Sequence, residues 1–388
     1  MSSRRHPRSP AVPPMDDDDL LCEILLRLPP QPSSLPRASA VCKRWRRLVS
    51  EPDFFRRFRL RHRRNPPLLG FFDRDLVRPF LPALESPNRV PHGRFSLQSD
   101  DGGRLRSLGC RHGLVLIFVQ ERLQLLVWDP VTGHQRRLAV PPGFDATKTV
   151  ISGAVLRAAG VHFQVVLIAP DDDEEIQQKR VVACVYSSET GVWGNLVSTP
   201  VPSEHHVVSM DPAVLVGDSL YWLLMGTSPN ILEFDLERQS LAVIRMPVNI
   251  SEDEANHGRR WDFTVTRTDG GGLGLLLVSR LTAQLWKRKT DRDGIASWVL
   301  GRTFELDKLL SLNSEDKGLV YILGFAEENN VVFLWTMIGV FMIHLESLKF
   351  KNLFKTLLFS YYHSFESVYA AGTCVGDEHD GAELLINM

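Results

Sequence analysis

The 388-residue sequence predicts a two-part α+β chain: a small helical domain over residues 16–64, then an all-β propeller of six or seven blades over residues 65–388. Three observations predict it. Charge divides at that point: residues 1–64 hold 15 Lys/Arg against 7 Asp/Glu, a net of +8, whereas residues 65–388 hold 30 against 39, a net of −9. Opposite charge in two regions marks two modules with different tasks. Hydrophobic periodicity changes there too, from helical stripes to short β-rich runs. The second part also carries a loose repeat, starting near residues 107, 214 and 320, about 106 residues apart. That is two units of roughly fifty residues, the size of a four-stranded blade. A pair of stacked sheets is the competing architecture.

Residues 1–15, rich in Arg, Ser and Pro and lacking an apolar run, read as a disordered lead. Asp16 to Asp19 then precede LLCEILLRLPP. Carboxylates suit a helix start, where the first amides lack partners and the dipole is positive. Leu20, Leu21, Ile24, Leu25 and Leu28 fall on one helical face, and Pro29 and Pro30 end it. Ser33 and Ser34 are placed to cap a second helix with Pro36 in its first turn, and Ala38, Val41, Cys42, Trp45, Leu48 and Val49 form its stripe. Pro52 opens a third segment in which Phe54, Phe55 and Phe58 stand among arginines. So few short helices bury little surface alone. Their stripes serve either a partner or each other.

The run DLLCEILLRLPPQPSSLPRASAVCKRWRRLVSEPDFFRRF resembles an F-box. The matching features are Leu-Leu-x-x-Ile-Leu-x-x-Leu-Pro, the Val-Cys-Lys-x-Trp signature and the Asp-Phe that follows Pro52. PPQPSS is about one residue longer than the usual connection, and an aspartate stands where a proline often opens the first helix. The resemblance implies docking onto a Skp-family adaptor and, through it, a cullin scaffold of a ubiquitin ligase. Carried over residue by residue, the implied adaptor contacts are Leu20, Leu21, Ile24, Leu25, Leu28, Pro29, Leu35, Val41, Cys42 and Trp45, some of which instead hold the helices together.

After Pro66, strand-like runs alternate with turn dipeptides. The clearest are Leu68–Phe72, Gly113–Val119, Leu123–Trp128, Phe163–Ile168, Val181–Tyr186, Ser219–Leu224, Gly274–Val278 and Val331–Thr336. WDPVTG, YSSETGVW, DSLYWL and GVFMIHLES together are similar to plant F-box-associated propeller regions. The strand Leu68–Phe72 and a late strand Glu383–Asn387 are expected at the closure, because open sheet edges invite aggregation.

Catalytic and ligand motifs are weak. Gly270 to Gly274 lacks the following helix that a phosphate cradle needs and reads as a tight turn between strands. Consecutive acids at Asp171 to Glu175 cannot converge like a spaced calcium loop and read as a solvated loop. Glu204-His205-His206 lacks zinc spacing, and the five cysteines hold no CxxC pair. The basic stretch Arg56–Arg64 reads as a solvated face, so no nucleic acid is expected. The apolar run Val331–Ile343 is too short to span a membrane. The expectation is therefore a non-enzymatic chain without cofactor or metal, cytoplasmic or nuclear, binding an unidentified target on its propeller loops. Its regional charge favours a neutral or basic target surface. The alternatives are an adaptor-bound protein acting outside a ligase and a propeller enzyme.

Overall fold

The computed structural model describes residues 17–91, 93–97, 103–144, 151–158, 162–171, 179–202, 205–208, 211–226, 229–247, 261–312, 318–354 and 361–370. The DDDEE segment beyond Asp171 and the expected strand Glu383–Asn387 lie outside them. The chain divides into two compact units. One comprises Met1–Arg64, Ser86–Asn88 and Val368–Met388, the other Asn65–Glu85 and Arg89–Ser367.

In the first unit, α1 (Asp18–Leu25), α2 (Ser34–Ser39), α3 (Lys43–Ser50) and α4 (Pro52–His62) are all short. The expected second helix is two. Cys42 adopts extended backbone, φ −161° and ψ 168°, and its sulfur accepts from Trp45 N, so it caps α3 instead of continuing α2. Ser33 makes no capping bond; its hydroxyl donates to Asn88 Oδ1 at 2.7 Å. α1 ends before the prolines, because Arg27 and Leu28 already turn with i→i−3 bonds to Ile24 and Leu25.

The second unit is a propeller of six sheets among the described residues. It begins with β1 (Leu68–Asp73) and the short β2 (Leu81–Pro82). The first full blade is β3 (Leu105–Arg111), β4 (Leu114–Val119), β5 (Gln124–Trp128) and β6 (Gln135–Ala139). The second is β7 (Ser152–Arg157), β8 (Phe163–Asp171) and β9 (Arg180–Ser187), with β10 (Val192–Trp193) and β11 (Val197–Pro200) both paired to β9. In the third, β12 (His205–Val208) and β13 (Val214–Val216) share β14 (Ser219–Gly226), followed by β15 (Asn230–Asp235) and β16 (Ser240–Arg245). The fourth is β17 (Trp261–Arg267), β18 (Leu273–Ser279), β19 (Thr282–Thr290) and β20 (Ala296–Glu305), followed by the helix α5 (Leu306–Leu310). The fifth is β21 (Tyr321–Ala326), β22 (Val331–Thr336), β23 (Gly339–His344) and β24 (Phe350–Phe354). The last strand, β25 (Tyr362–Glu366), returns to pair with β1.

That pairing closes the ring. Phe71 stands opposite Ser364 and Phe72 opposite His363, so the closing sheet joins both ends of the propeller chain. β1 is the early strand the sequence predicts, and its C-terminal partner is Tyr362–Glu366. The repeat starts near 107, 214 and 320 fall in β3, at the start of β13 and just before β21, in the first, third and fifth full blades, so the 106-residue period is two blades. Gly270–Gly272 lie in the β17–β18 turn, where Gly271 N bonds Thr268 O and Gly272 N bonds Thr268 Oγ1.

The core lies between blades rather than at one centre. Leu116, Leu125, Val165 and Leu167 join the first and second sheets, and Ile168, Trp222, Leu232 and Phe234 the second and third. Ile231, Val265 and Leu275 join the third and fourth, Val278, Leu306, Val332 and Ile343 the fourth and fifth, and Phe71, Phe333 and Tyr362 the fifth and the closing sheet. Middle strands are apolar on both faces because each is covered by the next blade on either side. β4 and β18 are buried along their whole length.

Candidate functional site

The helical unit is fixed by caps and crossing ion pairs. Asp17 accepts from the amides of Asp19 at 2.9 Å and Leu20 at 3.3 Å, giving α1 its N-cap. Asp18 reaches Arg44 and Arg47 of α3, each at 2.6 Å, and Glu23 reaches Arg57 of α4 at 2.6 Å. These pairs are partly exposed, so they orient the helices more than they stabilise them. Stability comes from the apolar cluster of Leu21, Leu25, Leu26, Leu35, Ala38, Leu48, Val49, Phe54 and Phe58, joined by Val368 and Ala370 from beyond the last strand.

This packing sorts the ten residues marked in the sequence as adaptor contacts. Leu21, Leu25 and Leu35 are 0%, 1% and 0% exposed. They pack the helices together, the role the sequence reading kept open for some of the ten. The cause is a shift in helical phase: the buried side of α1 runs through Leu21, Leu25 and Leu26, the last not counted in the stripe. Leu20 and Ile24, four residues apart, are left 42% and 37% exposed. Leu28 and Trp45 are half-buried against the cluster. Pro29 and Cys42 are exposed, and Val41 is 62% exposed at the break between α2 and α3. Leu60 on α4, 49% exposed, was missed because the surrounding arginines hide its phase.

Folding thus spends three of the ten on the core and leaves Leu20, Ile24, Leu28, Pro29, Val41, Cys42 and Trp45 wholly or partly in water. Exposed apolar side chains on one small unit make it a candidate interaction surface. Residues 18–61 match a family described as F-box-like, and residues 107–358 match one described as F-box protein AT5G49610-like, beta-propeller. The chain is an F-box protein of that propeller family. Relatives in Arabidopsis thaliana include "Putative F-box protein At1g33530", 26% identical over 168 residues, which are 43% of this chain and 36% of that protein. Another is "Putative F-box/kelch-repeat protein At1g15680", 24% identical over 316 residues, 74% of this chain and 72% of that one. The match therefore spans about a third of the first relative's length. Among solved structures, Porphyromonas gingivalis dipeptidyl peptidase 4 is similar at a TM-score of 0.34 and 11% identity, over 67% of this chain and 40% of that one.

In the propeller of this F-box protein, buried charge gathers where the first strands end. Arg111, at the end of β3, grips Glu327 with Nε and Nη2 and donates to Ala213 O. Glu327 also accepts from Leu215 N at 3.0 Å. One carboxylate thus ties the first, third and fifth full blades together. Burial pushes this carboxyl up, but the Arg111 guanidinium, with help from Arg267, outweighs it and holds Glu327 below its ordinary value. Glu366 of β25 accepts from Asn329 Nδ2 at 2.6 Å and from the amides of Asn329 and Glu328. Burial first, then the neighbouring Glu327 charge, push it up to about 7 despite those donors. Burial drives the Cys110 thiol up to about 12, which keeps it protonated at neutral pH. Sequence reasoning missed this knot because Arg111, Glu327 and Glu366 lie in separate repeats.

Proposed function

We propose that the chain is the substrate-recognition subunit of a Skp-cullin-F-box ubiquitin ligase. The F-box docks a Skp-family adaptor, which joins it to the cullin, and the propeller holds a target protein. The receptor makes no bond itself; it raises the effective concentration of the target beside the transferring machinery. The observation that carries this reading is the exposed apolar set Leu20, Ile24, Pro29 and Val41, with half-buried Leu28 and Trp45 beside it, on a helical unit that has its own buried core. Such interfaces draw most of their energy from a few apolar anchors. A receptor of this kind works in the cytoplasm or nucleus.

The test is the double variant Ile24→Asp with Val41→Asp. Both side chains stand in water, so neither change enters the core. Co-precipitation of adaptor and cullin from cells should be lost, a decrease of about thirty-fold or more for two anchors. The melting transitions of the variant should stay within about 2 °C of the parent. Wild-type recovery of adaptor and cullin by the variant would refute the docking surface. Adaptor recovered by the parent chain without cullin would favour the F-box protein acting outside a ligase.

A further inference from the structure

The helical unit carries a basic side that the fold leaves partly unneutralised. On α4, Arg56 pairs with Asp53 at 2.5 Å and Arg57 with Glu23 of α1 at 2.6 Å. Arg61, Arg63 and Arg64 are exposed and have no carboxylate partner among the described residues. Arg57, Leu60 and Arg61 share one side of α4, with Arg64 a turn further on. Leu60 stands among them, 49% exposed. Arg61 and Arg64, three residues apart and both unpaired, repel one another.

The course of the chain names an occupant for this side. Val368, Tyr369 and Ala370 are 4%, 4% and 2% exposed, and Val368 and Ala370 lie in the same cluster as Phe54 and Phe58 of α4. Residues 371–388, outside the described residues, therefore set out from the helical unit itself. They hold Asp377, Glu378, Asp380 and Glu383 and no Lys or Arg, followed by the apolar run Leu384, Leu385 and Ile386. They supply four of the net −9 of residues 65–388. Propeller closure does not call on them, since Tyr362–Glu366 already pairs with β1. Asp377 follows Ala370 by seven residues, a reach of about 23 Å when extended, whereas α4 is about 17 Å long. So short a tether holds the acids at high effective concentration beside the arginines, where several individually weak ion pairs suffice.

We propose that the acidic segment 377–383 docks on the side of α4 that holds Arg57, Arg61 and Arg64, with the apolar residues 384–386 toward Leu60 and Ile24, as a strap that competes with the adaptor. The pair of Arg57 with Glu23 sets this side of α4 beside Ile24, so strap and adaptor share ground; the competition rests on the ligase reading. The test measures fluorescence anisotropy of a labelled peptide of residues 371–388 on the full chain. One form of the chain has its own segment neutralised by Asp377→Asn, Glu378→Gln, Asp380→Asn and Glu383→Gln. This neutralised chain should bind the peptide saturably, and the parent, its site filled from within, at least about tenfold more weakly. Adding Arg61→Gln and Arg64→Gln to the neutralised chain should weaken the peptide by at least about tenfold. Adding Arg137→Gln on the exposed outer strand β6 should not. No saturable binding by the neutralised chain, equal binding by it and the parent, or no loss with the two α4 changes would overturn the proposal. Melting of each variant guards against misfolding. Adaptor pull-down runs in parallel, and the neutralised chain should recover more adaptor than the parent. Peptide binding with equal adaptor recovery would overturn the competition, whereas peptide binding with adaptor recovered by neither chain sinks the ligase reading alone.

Discussion

At the residue scale, the buried charges make the sharpest predictions. Glu366 is raised to about 7 from 4.5, so the folded chain keeps a proton that the unfolded chain releases. Its contribution is present below pH 4.5 and lost as pH rises through about 7. His363, its neighbour on β25, behaves oppositely. Burial, and then Arg74, lower it to about 3 from 6.5, so its contribution is present above pH 6.5 and lost as pH falls toward 3. Between pH 4.5 and 6.5 the two slopes oppose each other. Glu366→Gln removes the falling one, and urea unfolding at a series of pH values should show a variant that gains on the parent as pH rises, by up to about 3 kcal/mol above pH 7. Arg111→Met strands Glu327 in the interior and should cost about 3–5 kcal/mol. Adding Glu327→Met should recover much of that loss, since replacing a whole buried pair costs far less than breaking it. A double variant no more stable than Arg111→Met would show that the tie across three blades has value beyond its own desolvation.

At the element scale, closure depends on strands passing very close to one another. A Cβ on Gly324 of β21 would lie 2.5 Å from Tyr362 O of β25, and one on Gly70 of β1 would lie 2.1 Å from Leu81 O. Backbone oxygen cannot swing aside as a side-chain tip can. Gly324→Ala should therefore destabilise the propeller by about 1–3 kcal/mol, read as a lower urea midpoint with an unchanged slope. An unaltered midpoint would mean that β25 can move away from β21. Strand legibility follows the same logic. Middle strands such as Leu114–Val119 and Leu273–Ser279 were plain in the sequence because both their faces are covered and their residues are almost all apolar. Gln135–Ala139 and Ala296–Glu305 were not, since these outer strands face water. Tyr362–Glu366 was also missed: it is buried, yet it carries His363 and Glu366 where a sequence reader expects leucine.

At the scale of the whole molecule, the chain ends are shared out unexpectedly. Val368 and Ala370, 4% and 2% exposed, belong to the helical core and not to a blade. Val368→Asp places an unpaired charge there and should cost the helical unit about 3 kcal/mol or more. Hydrogen exchange should then quicken in α1 to α4 and not in β4 or β18. Faster exchange in the middle strands instead would show that this segment supports the propeller.

The sequence alone determined the helical front and the repeated strand unit of the propeller that follows it. Both are local or periodic, so composition and spacing carry them. Tertiary structure decided the count of six blades, because closure depends on which distant strand meets β1. It also decided which leucines of α1 are structural, since helical phase is set by what packs against the helix. The charge knot of Arg111, Glu327 and Glu366 arises only when segments far apart in the chain are brought together, and no window of sequence contains it.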